Sequence, residues 1–136
     1  MSACELCFDA GGTVLWKDAR LRVVAVADPL HPVFCRVIWS AHVREVTDLP
    51  AVERQFLFDA VCGVESALRR VFPAAKINLA SLGNVTPHLH WHVIARFADD
   101  PHFPAPVWAL PRHDRPVDVP IDWQARVRTQ LESTLS

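Results

Sequence analysis

His88-Leu89-His90-Trp91-His92-Val93-Ile94 is the stretch on which the reading of this chain turns. Three histidines alternate with large apolar residues. Successive side chains of a β-strand point to opposite faces. The pattern therefore predicts a strand with all three imidazoles on one face and Leu89, Trp91 and Val93 in a core on the other. Packing alone gives no reason for three neighbouring imidazoles. Each can take a charge near neutral pH, and like charges side by side cost stability. The row marks a site that handles protons, phosphate or metal.

Upstream, residues 76–82 read as a further strand and Gly83-Asn84 as a turn. A hairpin then joins them to the histidine strand, Leu89–Arg96, and the sheet is antiparallel. Leu21–Ala27 and Val33–Trp39, rich in β-branched residues, read as two more strands around the turn Asp28–Pro32. Thr47-Asp48-Leu49-Pro50 is a helix start, with Asp48 as N-cap and Pro50 in the first turn. Val52, Phe56, Ala60, Val64, Leu68 and Val71 form the apolar stripe of a helix that ends near Phe72, before Pro73. Beyond Arg96 the composition changes. Six of the 11 prolines lie between Pro101 and Pro120, an extended arm rather than a second domain. Asp122–Leu135 reads as a final helix with Trp123, Val127 and Leu131 inward. The fold class is α+β, an antiparallel sheet with a long helix on one face. Residues 1–136 make one domain, with its core over 4–108 and an arm and helix over 109–136.

With 136 residues and 51% hydrophobic content the chain can bury a core. A net charge of -1 argues against broad binding to nucleic acid or an anionic membrane, so neither is expected as a partner. No apolar run is long enough for a bilayer. Met1-Ser2-Ala3-Cys4-Glu5 lacks the features of a secretion signal, and the expectation is a cytoplasmic protein. In that reducing compartment Cys4, Cys7, Cys35 and Cys62 are thiols or metal ligands rather than disulfides.

The chain resembles the histidine-triad (HIT) family of nucleotide hydrolases and transferases. The family signature, His-φ-His-φ-His-φ-φ with φ apolar, fits His88–Ile94 at every position. Val37-Ile38 followed by His42, and Asn78 and Gly83-Asn84 ahead of the row, agree in order and spacing. The resemblance covers roughly residues 4–108. It implies a sheet of about five strands with a long helix and a C-terminal helix, and a homodimer. It also implies cleavage at the α-phosphate of a nucleotide, whether a dinucleoside polyphosphate or a nucleoside phosphoramidate, with His90 as nucleophile and a nucleotidyl-histidine intermediate. His92 then meets the leaving group or a phosphate oxygen, His88 supports the site and His42 closes it. Asn78, Gly83, Asn84 and Arg96 are expected at the substrate. No cofactor is required for this chemistry.

Departures from the family pattern bear on the leaving group. Asn84 stands where many members have Gln, Val85 where Ser or Thr is frequent, and Ala95 at a common proline position. Ahead of His42, Trp39-Ser40 stands where relatives often have a Pro-Lys pair.

Cys4-Glu5-Leu6-Cys7 has the spacing of half a zinc site. Some zinc-containing relatives complete such a site with the histidine before the helix and the first of the triad, here His42 and His88. The resemblance thus implies a structural zinc on Cys4, Cys7, His42 and His88. The bland alternative is two reduced thiols near a frayed terminus. Two rival functions also stand at this level: a zinc-dependent hydrolase with the histidine row as ligands, and a non-catalytic nucleotide-binding module. His31, His102 and His113 read as solvated, as does the Asp99-Asp100 turn. Arg36 is an ordinary strand residue or a phosphate contact. Phe103, Val107 and Trp108 give the arm apolar bulk, and it lies against a partner subunit, rims that subunit's pocket or folds back on its own sheet.

Overall fold

The computed structural model describes residues 4–135; Met1–Ala3, part of the stretch read for a secretion signal, and Ser136 lie outside them. A short helix α1 (Glu5–Phe8) precedes strands β1 (Thr13–Lys17), β2 (Leu21–Ala25) and β3 (Phe34–Trp39). A 3-10 turn (Val46–Asp48) leads into α2 (Ala51–Val71). Strands β4 (Lys76–Ala80) and β5 (His90–Arg96) follow, and α3 (Trp123–Leu135) closes the chain. The strands form one antiparallel sheet in the order β1-β2-β3-β5-β4. None of the described helices is long and apolar enough to cross a membrane.

One face of the sheet carries the main core. Val23 and Ala25 of β2, Cys35, Val37 and Trp39 of β3, and Val93 and Ala95 of β5 are buried with Leu57, Ala60, Val61, Val64 and Leu68 of α2. Trp123, Val127 and Leu131 bring α3 into the same cluster, as their spacing predicts. The odd-numbered residues of β3 and β5 are thus committed to α2. Their even-numbered neighbours, including Arg36, His90 and His92, are left to the other face.

Several elements differ from the sequence reading. The fifth strand, β1, lies outside the four that the sequence predicts. Asp48 does not cap α2. Its carboxylate accepts the Glu45 N–H (3.0 Å) within the 3-10 turn, and Pro50 itself holds the N-cap position. The buried face of α2 is also rotated. Val52 is 74% exposed, while Leu57 and Val61, outside the expected stripe, are buried. A strict four-residue repeat advances about 40° per step on a helix of 3.6 residues per turn, so it cannot stay on one face. Trp91 is only half-buried, its ring 6.2 Å from Phe58. The histidine strand begins at His90, so His88 precedes it.

The solvated readings of His31, His102 and Asp100 are corrected too, while Asp99 is exposed as expected. His31 and His102 are buried, with His31 Nε2 2.8 Å from His102 Nδ1. Asp100 is buried against Arg96 (2.7 Å). Burial would raise its carboxyl. Arg96 and the N–H groups of His102, Phe97 and Phe103 outweigh that and hold it well below the usual range. The arm folds back on its own sheet: Arg96 donates to the Ala105 carbonyl (2.7 Å) and Trp108 reaches His92.

Candidate active site and metal cluster

The face of the sheet away from α2 holds a groove of about 590 Å³. Glu5, Arg36, residues 82–86, His90, His92 and Trp108 line it. The pairing of β3 with β5 sets Arg36 opposite His92 and Ile38 opposite His90. His90 and His92 stand edge to face, with ring centroids 5.0 Å apart. His90 Nδ1–H donates to the His88 carbonyl (2.6 Å). That bond fixes the tautomer and leaves Nε2 with a free lone pair. Burial, helped by Arg36, lowers the His90 pKa and outweighs the opposing effect of the backbone bond, which favours a neutral ring.

His92 is pushed further. Burial, then the neighbouring His90 and Arg36, bring it down to about 4. Phe34 and Trp108 meet its ring at 5.6 and 5.1 Å between centroids. Its Nδ1 is buried with no hydrogen-bond partner, and so is Nε of Arg36. Among the described residues these are the buried side-chain polar atoms left without a partner, and both belong to the groove's lining.

Beside the groove, Cys4, Cys7, His42 and His88 bring their donor atoms within 4.8 Å of one another. Cys4 Sγ lies 3.4 Å from His88 Nδ1, Cys7 Sγ lies 3.4 Å from His42 Nδ1, and the two Nδ1 atoms are 3.3 Å apart. A zinc tetrahedron with bonds of roughly 2.3 Å to sulfur and 2.0–2.1 Å to nitrogen has edges of about 3.3–3.8 Å, and the separations just given match those edges. His88 Nε2–H donates to the Trp39 carbonyl (2.6 Å). The ring is thereby held with Nδ1 as the free donor, a common support for a metal-bound imidazole. Arg22 bonds the carbonyls of Leu6, Asp9 and Ala10 and fastens the cysteine segment to β2. Cys35 lies in the core, where burial pushes its thiol up to about 12, and takes no part.

The family model of the HIT domain matches residues 9–99. The chain belongs to the HIT family. A histidine triad protein of Marinobacter aquaeolei VT8 is 29% identical over 93% of this chain and 90% of its own, with a TM-score of 0.71. One from Bradyrhizobium japonicum is 24% identical over 93% and 92%, with a TM-score of 0.75. A Zn-bound histidine triad family protein of Mycobacterium smegmatis shares the fold at 18% identity over 96% and 94%, with a TM-score of 0.71. No curated protein matches the chain at comparable stringency.

This HIT domain distributes the residues singled out from sequence over three places. His90, His92, Gly83 and Asn84 meet in the groove. The loop there turns through Gly83 at φ +78°, a conformation that disfavours a side chain. His42 and His88 stand in the cysteine cluster and are not among the groove's lining residues; His88 is linked to the groove only through its carbonyl, which accepts from His90. Arg96 and Asn78 are in neither. The Arg96 guanidinium is bonded to Asp100, to Asn78 Oδ1 (2.8 Å) and to Ala105. In the structure this pair ties the arm to the sheet. Glu5, Thr86 and Trp108 line the groove without having been singled out as site residues. Glu5 gave a faint signal, lying between the two cysteines; Trp108 gave one only as apolar bulk on the arm, whose path is not written in local sequence.

Proposed function

We propose that this HIT domain is a nucleotide hydrolase or nucleotidyltransferase that cleaves at the α-phosphate through a covalent intermediate on His90. The observation that carries the reading is the bond from His90 Nδ1–H to the His88 carbonyl, beside an open groove. It presents a neutral Nε2 lone pair to that groove. In the reaction Nε2 forms a bond to phosphorus while the bond to the leaving group breaks, and the leaving group takes a proton from solvent as it departs. Water then cleaves the phosphorus–nitrogen bond, releasing the nucleoside monophosphate and restoring the imidazole. His92, neutral in the free protein above about pH 4, enters as a hydrogen-bond donor rather than a standing cation. Dinucleoside polyphosphates and nucleoside phosphoramidates both fit this chemistry.

The cysteine cluster would hold a zinc ion with four protein ligands. Such a closed site is structural and fixes α1 and His88 in place. This geometry gives less support to a zinc-dependent hydrolase, since His90 and His92 lie outside the cluster. The same reading includes a homodimer.

The test is AMP release from adenosine phosphoramidate and from a diadenosine polyphosphate, with wild type and His90→Ala compared at matched folding. Turnover that disappears in the variant and persists under mild chelation is the expected result. Activity surviving in His90→Ala removes the nucleophile assignment. A folded wild type that binds AMP and turns over neither substrate points to the binding module.

A further inference from the structure

The arginines of β3 and β5, Arg36 and Arg96, are in opposite states. Arg96 is buried and its guanidinium is saturated by Asp100, Asn78 and Ala105. Arg36 lies on the floor of the histidine groove, opposite His92 in the ladder, with its Nε buried and unpaired. A buried guanidinium nitrogen without an acceptor costs free energy that some partner normally offsets. Glu5 lines the same groove, but no ion pair between it and Arg36 is formed among the described residues. Arg36 is also the one permanently charged cation on the described lining.

We infer that Arg36 is the phosphate-recognition residue of this site: its guanidinium binds the non-bridging oxygens of the phosphoryl group that His90 attacks. This rests on the nucleotide reading above and adds to it the group that meets the charge. A neutral His92 cannot supply a cation before the substrate arrives. A guanidinium offers a rigid fork of donors matched to two phosphoryl oxygens, and it does not lose its charge in a partly buried site. Placed one strand away from the nucleophile, it attracts the α-phosphate and offsets charge on the oxygens as the bond to His90 forms. The chemical class this selects is a ligand with an anionic phosphoryl group over His90, in preference to the bare nucleoside. Arg36 also adds its field to that of His90 in keeping His92 unprotonated, so one residue favours anion binding and a neutral neighbour together.

Calorimetric titration of AMP and of adenosine into wild type, Arg36→Gln and Arg36→Lys tests this. Wild type is expected to prefer AMP. Arg36→Gln should lose roughly 10- to 100-fold in AMP affinity, the range for removing a hydrogen bond to a charged group, with adenosine affinity unchanged. Arg36→Lys, which keeps the charge and loses the fork, should fall between the two. AMP affinity unchanged in Arg36→Gln overturns the inference, as does an equal loss for AMP and adenosine, which would mean the residue only shapes the groove. If Arg36→Gln fails to fold, Arg36→Lys decides alone: wild-type discrimination between AMP and adenosine counts against a bidentate fork, and a loss confined to AMP supports it. Wild type binding neither ligand rejects the nucleotide reading itself, a failure seen before any variant is made, and the Arg36 role falls with it.

Discussion

At the residue scale the site works by withholding protons. Burial lowers the pKa of His90 and His92 alike, and the His88 carbonyl selects which His90 nitrogen keeps its lone pair. The sign follows from linkage. His92 titrates near its ordinary 6.5 when unfolded and at about 4 when folded. Its contribution to stability is therefore complete above pH 6.5 and is lost as pH falls toward 4, because the unfolded chain takes up the proton first. An NMR titration following the His92 ring protons of the free protein should give a midpoint near 4, rising in Arg36→Gln as a neighbouring positive charge is removed. A midpoint at or above 6.5 would show that the ring is not desolvated as described. These shifts were not readable from the row itself, since alternation gives the face of a side chain but neither its burial nor the charge across the ladder.

At the scale of elements, the row divides where β5 begins. His90 and His92 share the strand, while His88 precedes it and turns its ring to the cysteines. The four donors come from α1 and its lead-in, the segment after β3, and the approach to β5. They meet because Trp39, at the end of β3, accepts from His88 and because Arg22 holds the cysteine segment. We expect the purified protein to carry one zinc per chain by elemental analysis. Stripping it should lower Tm by roughly 10–15 °C, as for loss of a ligand held near 1,000 times its Kd by a domain of this size. Cys7→Ser should give the same loss without chelator. Protein purified without metal, whose melting is indifferent to both zinc and chelator, would mean that the cluster is a set of hydrogen-bonded thiols and imidazoles.

At the scale of the whole molecule, β4 stands at an outer edge of the sheet, and a second groove runs along it under Pro104, Pro106 and Trp108. Phe58 is 47% and Val52 74% exposed on α2. An open edge and apolar side chains on the neighbouring helix favour pairing with a second copy. Light scattering on the eluting protein should report about twice the 15.3 kDa chain mass; a monomer across the micromolar range would reject the homodimer. The sequence by itself determined the α+β class, the antiparallel sheet, the long helix and the histidine face, because periods of 2 and 3.6 are local properties of the backbone. The His-φ-His-φ-His row and the Cys4-x-x-Cys7 spacing also named, through a family likeness, the four cysteine and histidine side chains that the structure brings together. Only the tertiary structure decided that Arg96 is a tie for the arm while Arg36 faces the groove. It alone decided that His31, His102 and Asp100 are buried and that Trp108 covers His92. Those outcomes depend on strand register and on the path of a long connection, and both are set by contacts between residues far apart in the chain.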